Sequence, residues 1–155
     1  MLKCILVSLL VILTVTTPRS GSFKKQYIKD IEELSLLIRV INSESHGQSY
    51  TEKLRVGSVI LNRLHDSDFP KTLYDVVYQK NQFKGLKTKL FEIDNTTIKG
   101  RESINAATWL VDHGSILPKN IVYFHNPATG KDRKWISKMK HKLYLKGDGH
   151  WYFKK

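Results

Sequence analysis

At 155 residues, 41% of them hydrophobic, the chain has the length of one domain and enough apolar side chains for one compact core. Its only cysteine, Cys4, lies in the N-terminal apolar segment, which excludes disulfides and a cysteine nucleophile from the rest of the chain. The 26 basic side chains outnumber the 14 acidic ones, and the resulting net charge of +12 indicates anionic partners.

The first 22 residues have the pattern of a secretory signal peptide. Met1–Lys3 is a short basic start, Cys4–Val15 is an apolar run, and Ser20–Ser22 offers small residues for cleavage. The apolar run is shorter than the about 20 residues that a membrane span needs. We therefore expect residues 1–22 to direct the protein out of the cell or into the cell envelope, with membrane contact only where this segment is not removed. Export argues against nucleic acid as the anionic partner and leaves wall polymers or anionic lipid.

Helical periodicity runs through the next two thirds of the chain. Apolar residues follow helical spacing over residues 27–44, and Gly47 ends that helix. A second helix, with Thr51 as its predicted cap, is apolar on more than one face and is expected at the centre of the fold. A short helix is predicted over Thr72–Tyr78 and a longer one over Ile98–His113.

The pattern changes after Pro118. Ile121–Phe124 is predicted as a short strand and Asn126–Gly130 as a loop. Lys142–Leu145 and Trp151–Phe153 are predicted as the two strands of a hairpin around a glycine turn. Helices followed by a small sheet predict an α+β domain, with a mainly helical core and a small C-terminal antiparallel β element.

Without a thiol, a hydrolase is limited to metal, serine or carboxylate chemistry. The six histidines stand singly, with no pair at i, i+4 followed by an acidic ligand, and no Gly-x-Ser-x-Gly is present. This pattern disfavours zinc, although metal ligands can also meet through tertiary folding. Among the carboxylates, several are predicted in charged or solvated surroundings: Glu32, Glu33, Glu52, Glu92 and Glu102.

Glu44 differs from these carboxylates because it ends an apolar helical run. Burial against aliphatic neighbours raises the pKa of a carboxyl group, so such a residue can keep its proton near neutral pH. A protonated carboxylic acid at the edge of a cleft is what the cleavage of a glycosidic bond needs. The alternative is a solvated glutamate in the last turn of a helix.

An ordered series of short motifs extends over residues 34–153. In chain order they are Glu44-Ser45-His46-Gly47, Val59-Ile60-Leu61-Asn62-Arg63, Phe69-Pro70-x-Thr72, Val76-Val77-Tyr78-Gln79, Gln82-Phe83, Tyr123-Phe124-x-Asn126-Pro127-Ala128-Thr129 and Lys134-Trp135-Ile136. Each motif is weak alone, but the ordered series is specific. With these motifs the chain resembles the catalytic domain of the spore cortex-lytic, SleB/CwlJ-type cell wall hydrolases.

The resemblance implies a lysozyme-like fold for residues 23–155 and an enzyme that needs no metal or cofactor. The family cleaves peptidoglycan between N-acetylmuramic acid and N-acetylglucosamine. Several members resemble lytic transglycosylases, which leave a 1,6-anhydromuramic end instead of adding water. By the same resemblance Glu44 is the general acid. The substrate-binding residues that follow from the matching motifs are Asn62, Gln82, Phe83, Tyr123, Asn126 and Trp135, each with a packing or turn-forming role as its alternative.

The chain departs from the family around Glu44. The family commonly has Glu-Ala-Arg-Gly-Glu where this chain has Glu44-Ser45-His46-Gly47-Gln48, and a glycine where this chain has Glu52. A hydrolase that adds water, whether retaining or inverting, uses a second carboxylate. Its replacement by Gln48 therefore favours an intramolecular route in which Glu44 acts alone. The alternative candidates for activating water are Asp68, Asp75 and Asp112.

Two other functions stay open at this level. One is an N-acetylmuramoyl-L-alanine amidase, whose chemistry needs zinc. The other is a non-catalytic, basic wall-binding module, consistent with the changed residues after Glu44. We expect a monomer whose partner is peptidoglycan, with anionic wall polymers as a second candidate partner. The sequence does not distinguish spore cortex from vegetative wall.

Overall fold

The computed structural model describes residues 28–129 and 133–155, so the predicted signal peptide, residues 1–22, lies outside the described residues. The described residues form five α-helices, namely α1 (Ile31–Glu44), α2 (Tyr50–His65), α3 (Leu73–Tyr78), α4 (Ile98–His113) and α5 (Arg133–Met139). Three strands follow or separate them: β1 (Ile121–His125), β2 (Leu143–Lys146) and β3 (Trp151–Lys154). In this described part, no helix is both long enough and apolar enough to cross a membrane.

Local caps set the ends of the helices. The Asp30 side chain accepts hydrogen bonds from two backbone N–H groups in the first turn of α1, so this helix begins after Asp30 rather than at residue 27. The Ser49 hydroxyl accepts from the backbone N–H of Glu52, so Ser49, and not the predicted Thr51, caps α2. Gly114, at φ 84°, ends α4 as expected, because glycine adopts positive φ without steric cost.

The second helix lies at the centre of the fold, as predicted. Eleven of the 16 residues of α2 are buried, and α1, α4 and β1 all pack against it. Gly57 permits this close packing, because a Cβ atom there would lie 2.7 Å from Cδ1 of Ile41 on α1 and would also collide with Leu110 on α4. The helical core is therefore built around a helix that has almost no solvent-facing surface.

A three-stranded antiparallel sheet closes the fold. The strand order is β1-β3-β2, so the predicted hairpin of β2 and β3 is confirmed and β1 pairs with its second strand. Tyr152 and Phe153 of β3 are fully buried, and Tyr152 packs with Val59 of α2 and Ile121 of β1. The predicted α+β class, with a mainly helical core and a small C-terminal antiparallel sheet, is confirmed.

The helix α5 is absent from the sequence-based prediction. It has only seven residues, whereas an isolated helix shorter than about 12 residues is marginal in water. Tertiary contacts stabilise it, since the Trp135 ring lies 5.1 Å from that of Phe153 and 6.4 Å from that of Tyr123. Propensity and periodicity carry no signal for a helix that depends on such contacts.

Candidate active site

Glu44 is the last residue of α1, and its side chain is partly buried. Its Oε1 atom accepts a hydrogen bond of 2.7 Å from the backbone N–H of Gly85. Burial raises the pKa of the Glu44 carboxyl. This effect outweighs the opposing influence of the Gly85 N–H and of three basic side chains, namely His150, Lys84 and Arg63. Glu44 therefore keeps its proton to a higher pH than a solvated glutamate does, as its sequence context predicts.

The end of α1 that carries Glu44 is fixed by a buried lysine. Lys53 of α2 is fully buried, and its ammonium group donates to the backbone carbonyl of Ser45 over 3.1 Å. The last carbonyl groups of a helix lack partners within the helix, and a cation near them interacts favourably with the helix dipole. Burial also lowers the pKa of Lys53. This contact holds the backbone immediately after Glu44, and the sequence gives no sign of it.

Gly85 brings the backbone N–H to Glu44 because it has no side chain. A Cβ atom at this position would lie 2.6 Å from Oγ of Ser43 and 2.9 Å from Oε1 of Glu44. Both distances are shorter than ordinary contacts, so a larger residue would displace the carboxylate or the loop. The tight turn over Gly85–Lys87 is thus part of the candidate site.

We expect Gly85→Ala to lower the rate of the glycan cleavage that the resemblance implies by at least about tenfold, because a displacement of about 1 Å at a catalytic group can cost up to about 100-fold. The rate of lysis and the melting temperature of the variant are measured together. A matched control is Gly114→Ala, which lies in open space at the far end of α4. Its positive φ makes the substitution destabilising, but the lytic rate per folded molecule should not change.

A cleft of about 350 Å³ adjoins Glu44. Its wall is formed by Arg63, Asn81, Gln82, Lys84, Tyr123, Phe124, His125 and Trp135. Glu44 itself is not part of the wall, but two wall residues, Arg63 and Lys84, interact electrostatically with its carboxyl group. Glu44 therefore lies close to one side of the cleft, next to the turn that begins at Gly85.

The cleft combines aromatic rings with polar groups. The ring of Trp135, on α5, lies 6.4 Å from the ring of Tyr123 and 5.6 Å from the ring of His125. Most of the polar groups come from the loop after α3, where Asn81 has a φ of 64°. Sugars pack their apolar faces on aromatic rings and use their hydroxyl and acetamido groups for hydrogen bonds, so such a lining suits a saccharide.

Three of the six predicted substrate-binding residues meet in this cleft. Gln82, Tyr123 and Trp135 all line it, although they come from a loop, a strand and a helix. Phe83 follows Gln82 in the chain but belongs to the core, where it is 6% exposed and packs against Phe124. For Phe83 the packing alternative is thus the one observed.

Asn62 and Asn126 have structural roles. Asn62 is only 2% exposed, and its amide group donates to the carbonyls of Pro118 and Ile121, both over 2.9 Å. These bonds fix the entry to β1 and leave Asn62 outside the cleft wall, which corrects the expectation of substrate contact. Asn126 accepts a hydrogen bond from the backbone N–H of Ala128, which is the turn-forming role that was the alternative for this residue.

Glu52 contradicts the expectation of solvated surroundings. Its side chain is fully buried, and its Oε1 accepts hydrogen bonds from the Tyr152 hydroxyl at 2.8 Å and from Nδ1 of His150 at 3.0 Å. Its Oε2 pairs with Arg55 at 3.1 Å. Glu52 has polar neighbours in the sequence, so its burial is evident only in the fold, where Tyr152 of β3 and His150 contact it.

The three aspartates considered as water activators are all exposed. Asp75 accepts a hydrogen bond from the Thr72 hydroxyl at the start of α3, and Asp68 pairs with Lys155. Neither they nor Asp112 line the cleft. Within residues 28–129 and 133–155, no three His, Cys, Asp or Glu side chains come together in a way that could hold a metal ion.

The sequence and fold of this chain resemble those of known proteins. Residues 47–153 match the Cell Wall Hydrolase family. The match begins three residues after Glu44, so the candidate role of Glu44 rests on the geometry around it. The chain is 28% identical over 105 residues to a spore cortex-lytic enzyme of Bacillus cereus, covering 67% of this chain and 38% of that protein. It is 27% identical over 104 residues to one of Oceanobacillus iheyensis, covering 67% of this chain and 36% of that protein.

The chain therefore spans less than two fifths of the length of these two relatives. Among solved structures, it is similar to the catalytic domain of the germination-specific lytic transglycosylase SleB from Bacillus anthracis. The TM-score is 0.65 at 20% identity, covering 81% of this chain and 97% of that one. The catalytic domain of Bacillus cereus SleB also gives a TM-score of 0.65 at 20% identity, covering 86% and 100%. These similarities confirm the predicted lysozyme-like fold.

Proposed function

The chain belongs to the cell wall hydrolase family, and from that premise we propose that it is a secreted enzyme that degrades peptidoglycan. The bond cleaved is the glycosidic bond between N-acetylmuramic acid and N-acetylglucosamine. The observation that carries this proposal is the partly buried Glu44, with its raised pKa, beside a cleft of about 350 Å³ lined by aromatic and polar groups. The names of the relatives, a spore cortex-lytic enzyme and a lytic transglycosylase, support the same substrate.

The proposed reaction uses Glu44 twice. As an acid, Glu44 gives its proton to the glycosidic oxygen while the bond from that oxygen to C1 of the muramoyl residue breaks. As a carboxylate, it then accepts the proton of the C6 hydroxyl while the C6 oxygen attacks C1 and closes a 1,6-anhydro ring. The attacking hydroxyl is already attached to the same sugar, so the second step is intramolecular and needs no bound water.

The lack of a second carboxylate close to Glu44 among the described residues favours this route. A hydrolase that adds water uses a second carboxylate at about 5 to 10 Å from the acid. Among the described residues, no acidic side chain lines the cleft or shifts the pKa of Glu44, and Glu52 is occupied by three partners in the interior. A proton donor without an acidic partner suits an acceptor that the substrate carries itself.

We expect digestion of purified peptidoglycan to release muropeptides with 1,6-anhydromuramic ends. Mass spectrometry identifies these ends, because each is lighter by one water than a reducing muramic end. Reducing muramic ends would instead show that the enzyme hydrolyses the glycosidic bond. New L-alanine amino termini together with sensitivity to a chelator would support an amidase, and binding without soluble fragments would support a wall-binding module.

Anionic wall polymers are a second proposed partner. Residues 119–155 hold ten basic and two acidic side chains, so most of the net charge lies in the part of the chain that forms the sheet and α5. Several of these lysines are exposed, among them Lys134, Lys138, Lys140, Lys146 and Lys154. Attraction between exposed charges weakens as ionic strength rises, so binding to wall sacculi should fall with added salt. We propose secretion through residues 1–22 and a monomeric enzyme.

A further inference from the structure

Arg63 forms part of the cleft wall and yet is almost entirely buried, with 4% of its surface exposed. Its Nε atom donates a hydrogen bond of 2.8 Å to the carbonyl of Val122 on β1. Burial lowers the pKa of Arg63 to about 10, so the guanidinium group is still charged at neutral pH. The end of α2 thus places an almost entirely buried cation in the wall of the cleft.

One nitrogen of this cation has no hydrogen-bond partner. Nη1 of Arg63 is buried and makes no hydrogen bond with any of the described residues. Buried polar groups of proteins are almost always hydrogen-bonded, and leaving a charged one without a partner is costly. Because Arg63 lines the cleft, a guanidinium group that is only partly hydrogen-bonded within the protein points to an acceptor that arrives with a ligand.

The guanidinium group cannot readily turn away from the cleft. It lies over three aromatic rings, at 5.1 Å from the centre of Phe69, 5.3 Å from Phe83 and 5.9 Å from Tyr123. Cation–π contacts of this kind hold the planar group in one orientation, and the bond from Nε to Val122 fixes its edge. The position of the guanidinium group is therefore set before any ligand binds, which favours selective recognition.

We propose that the guanidinium group of Arg63 binds a carbonyl or carboxylate oxygen on a side group of the sugar that occupies the cleft beside Glu44. This inference rests on the proposed function, because it assigns a contact to the same site. Peptidoglycan sugars carry two side groups of the required chemistry. One is the acetamido carbonyl, which both sugars have, and the other is the lactyl carbonyl or carboxylate, which only the muramoyl residue has.

The role of Arg63 is one of substrate positioning. A charge-assisted hydrogen bond to a side group fixes the orientation of the sugar in the cleft. This hydrogen bond does not involve the bond that breaks. The charge of Arg63 opposes the rise in the pKa of the Glu44 carboxyl, so this contact lies near the proposed acid. Neither the composition nor the spacing of the sequence distinguishes Arg63 from an ordinary arginine at the end of a helix.

The test measures binding in a protein that cannot turn over its substrate. In a Glu44→Gln background, we expect Arg63→Lys to weaken binding of a soluble peptidoglycan tetrasaccharide by at least about tenfold in calorimetric titration. Lysine keeps the charge but loses the planar group. The matched control is Arg39→Lys, because Arg39 also lies over a ring, 4.5 Å from Phe91, but does not line the cleft. Its affinity should equal that of the parent.

Two ligands distinguish the side groups. If the affinity of Arg63→Lys also falls for a chitin oligomer, which has acetamido groups only, the acetamido carbonyl is the acceptor. If it falls only for the muramoyl tetrasaccharide, the lactyl group is the acceptor. Equal affinities of the Arg63→Lys and Arg39→Lys proteins for both ligands would overturn the inference.

A second measurement needs no change at Arg63. In the Glu44→Gln protein, the side-chain nitrogen resonances of Arg63 should shift on saturation with the tetrasaccharide, and unchanged resonances at saturation would count against the inference. This measurement also covers the case in which Arg63→Lys fails to fold. Failure of the proposed function would be recognised by a different result, because the Glu44→Gln protein would then still lyse peptidoglycan.

Discussion

The Glu44→Gln protein should lose at least about 100-fold of its lytic rate, because a positioned general acid contributes about 100- to 10,000-fold. Glutamine has nearly the same shape and its side-chain oxygen can still accept the hydrogen bond from the Gly85 N–H. It has no acidic proton to give to the glycosidic oxygen. Release of soluble muropeptides from purified sacculi measures the loss.

The control for this prediction is Glu92→Gln, the same substitution at an exposed glutamate outside the cleft wall. Its lytic rate should equal that of the unmodified protein. Residual lysis by the Glu44→Gln protein at the level of this control would rule out Glu44 as the acid.

The stability of the Glu44→Gln protein follows from the direction of the pKa shift. Burial raises the pKa of Glu44 in the folded state, so the folded protein favours the protonated form. The stability that this preference contributes is fully present below the unfolded pKa and is lost as the pH rises through the folded pKa. Glutamine does not ionise, so the variant should be at least as stable as the unmodified protein at neutral pH, and its melting curve shows that it folds. Lysis by the unmodified protein should fall over the same rise in pH.

The second large effect is expected at Glu52. We expect Glu52→Ala to lower the free energy of unfolding by about 3–5 kcal/mol, the range observed when one member of a buried charged cluster is removed. The variant leaves the Tyr152 hydroxyl and the His150 Nδ1 atom buried without their acceptor, and Arg55 without its partner at 3.1 Å. Denaturant unfolding followed by circular dichroism gives the difference.

Glu102→Ala is the matched control for Glu52→Ala. Glu102 also forms an i, i+3 pair, with Lys99 at 3.1 Å, but both side chains are partly exposed. Exposed pairs of this kind contribute about 0–1 kcal/mol. Similar losses in the two variants would mean that the Glu52 cluster contributes no more than an ordinary surface pair.

The difference between Glu44 and Glu52 shows what the sequence can predict. Glu44 follows an apolar helical run, so its nearest chain neighbours already indicate burial. Glu52 has polar neighbours in the chain, and its two buried partners, His150 and Tyr152, are 98 and 100 residues away. Local pattern therefore predicts the first environment, whereas only the completed fold creates the second.

The same distinction applies to the fold and to the rest of the site. The bounds of α4 follow from periodicity and from Gly114, which are local signals. Asn62 and Arg63 are adjacent at the end of α2. Their chain neighbours do not indicate that Asn62 forms hydrogen bonds at the start of β1, or that Arg63 lines the cleft. Their roles depend on β1, which lies more than 50 residues further along the chain.

The order of the strands has a consequence for the timing of synthesis. Because β3 lies between β1 and β2, neither outer strand has its neighbour until Trp151–Lys154 has left the ribosome. His150 and Tyr152 arrive with that segment, so the interior of the nascent chain also remains incomplete until then. A protein with the proposed lytic function would thus acquire its working shape only after β3 has been translated.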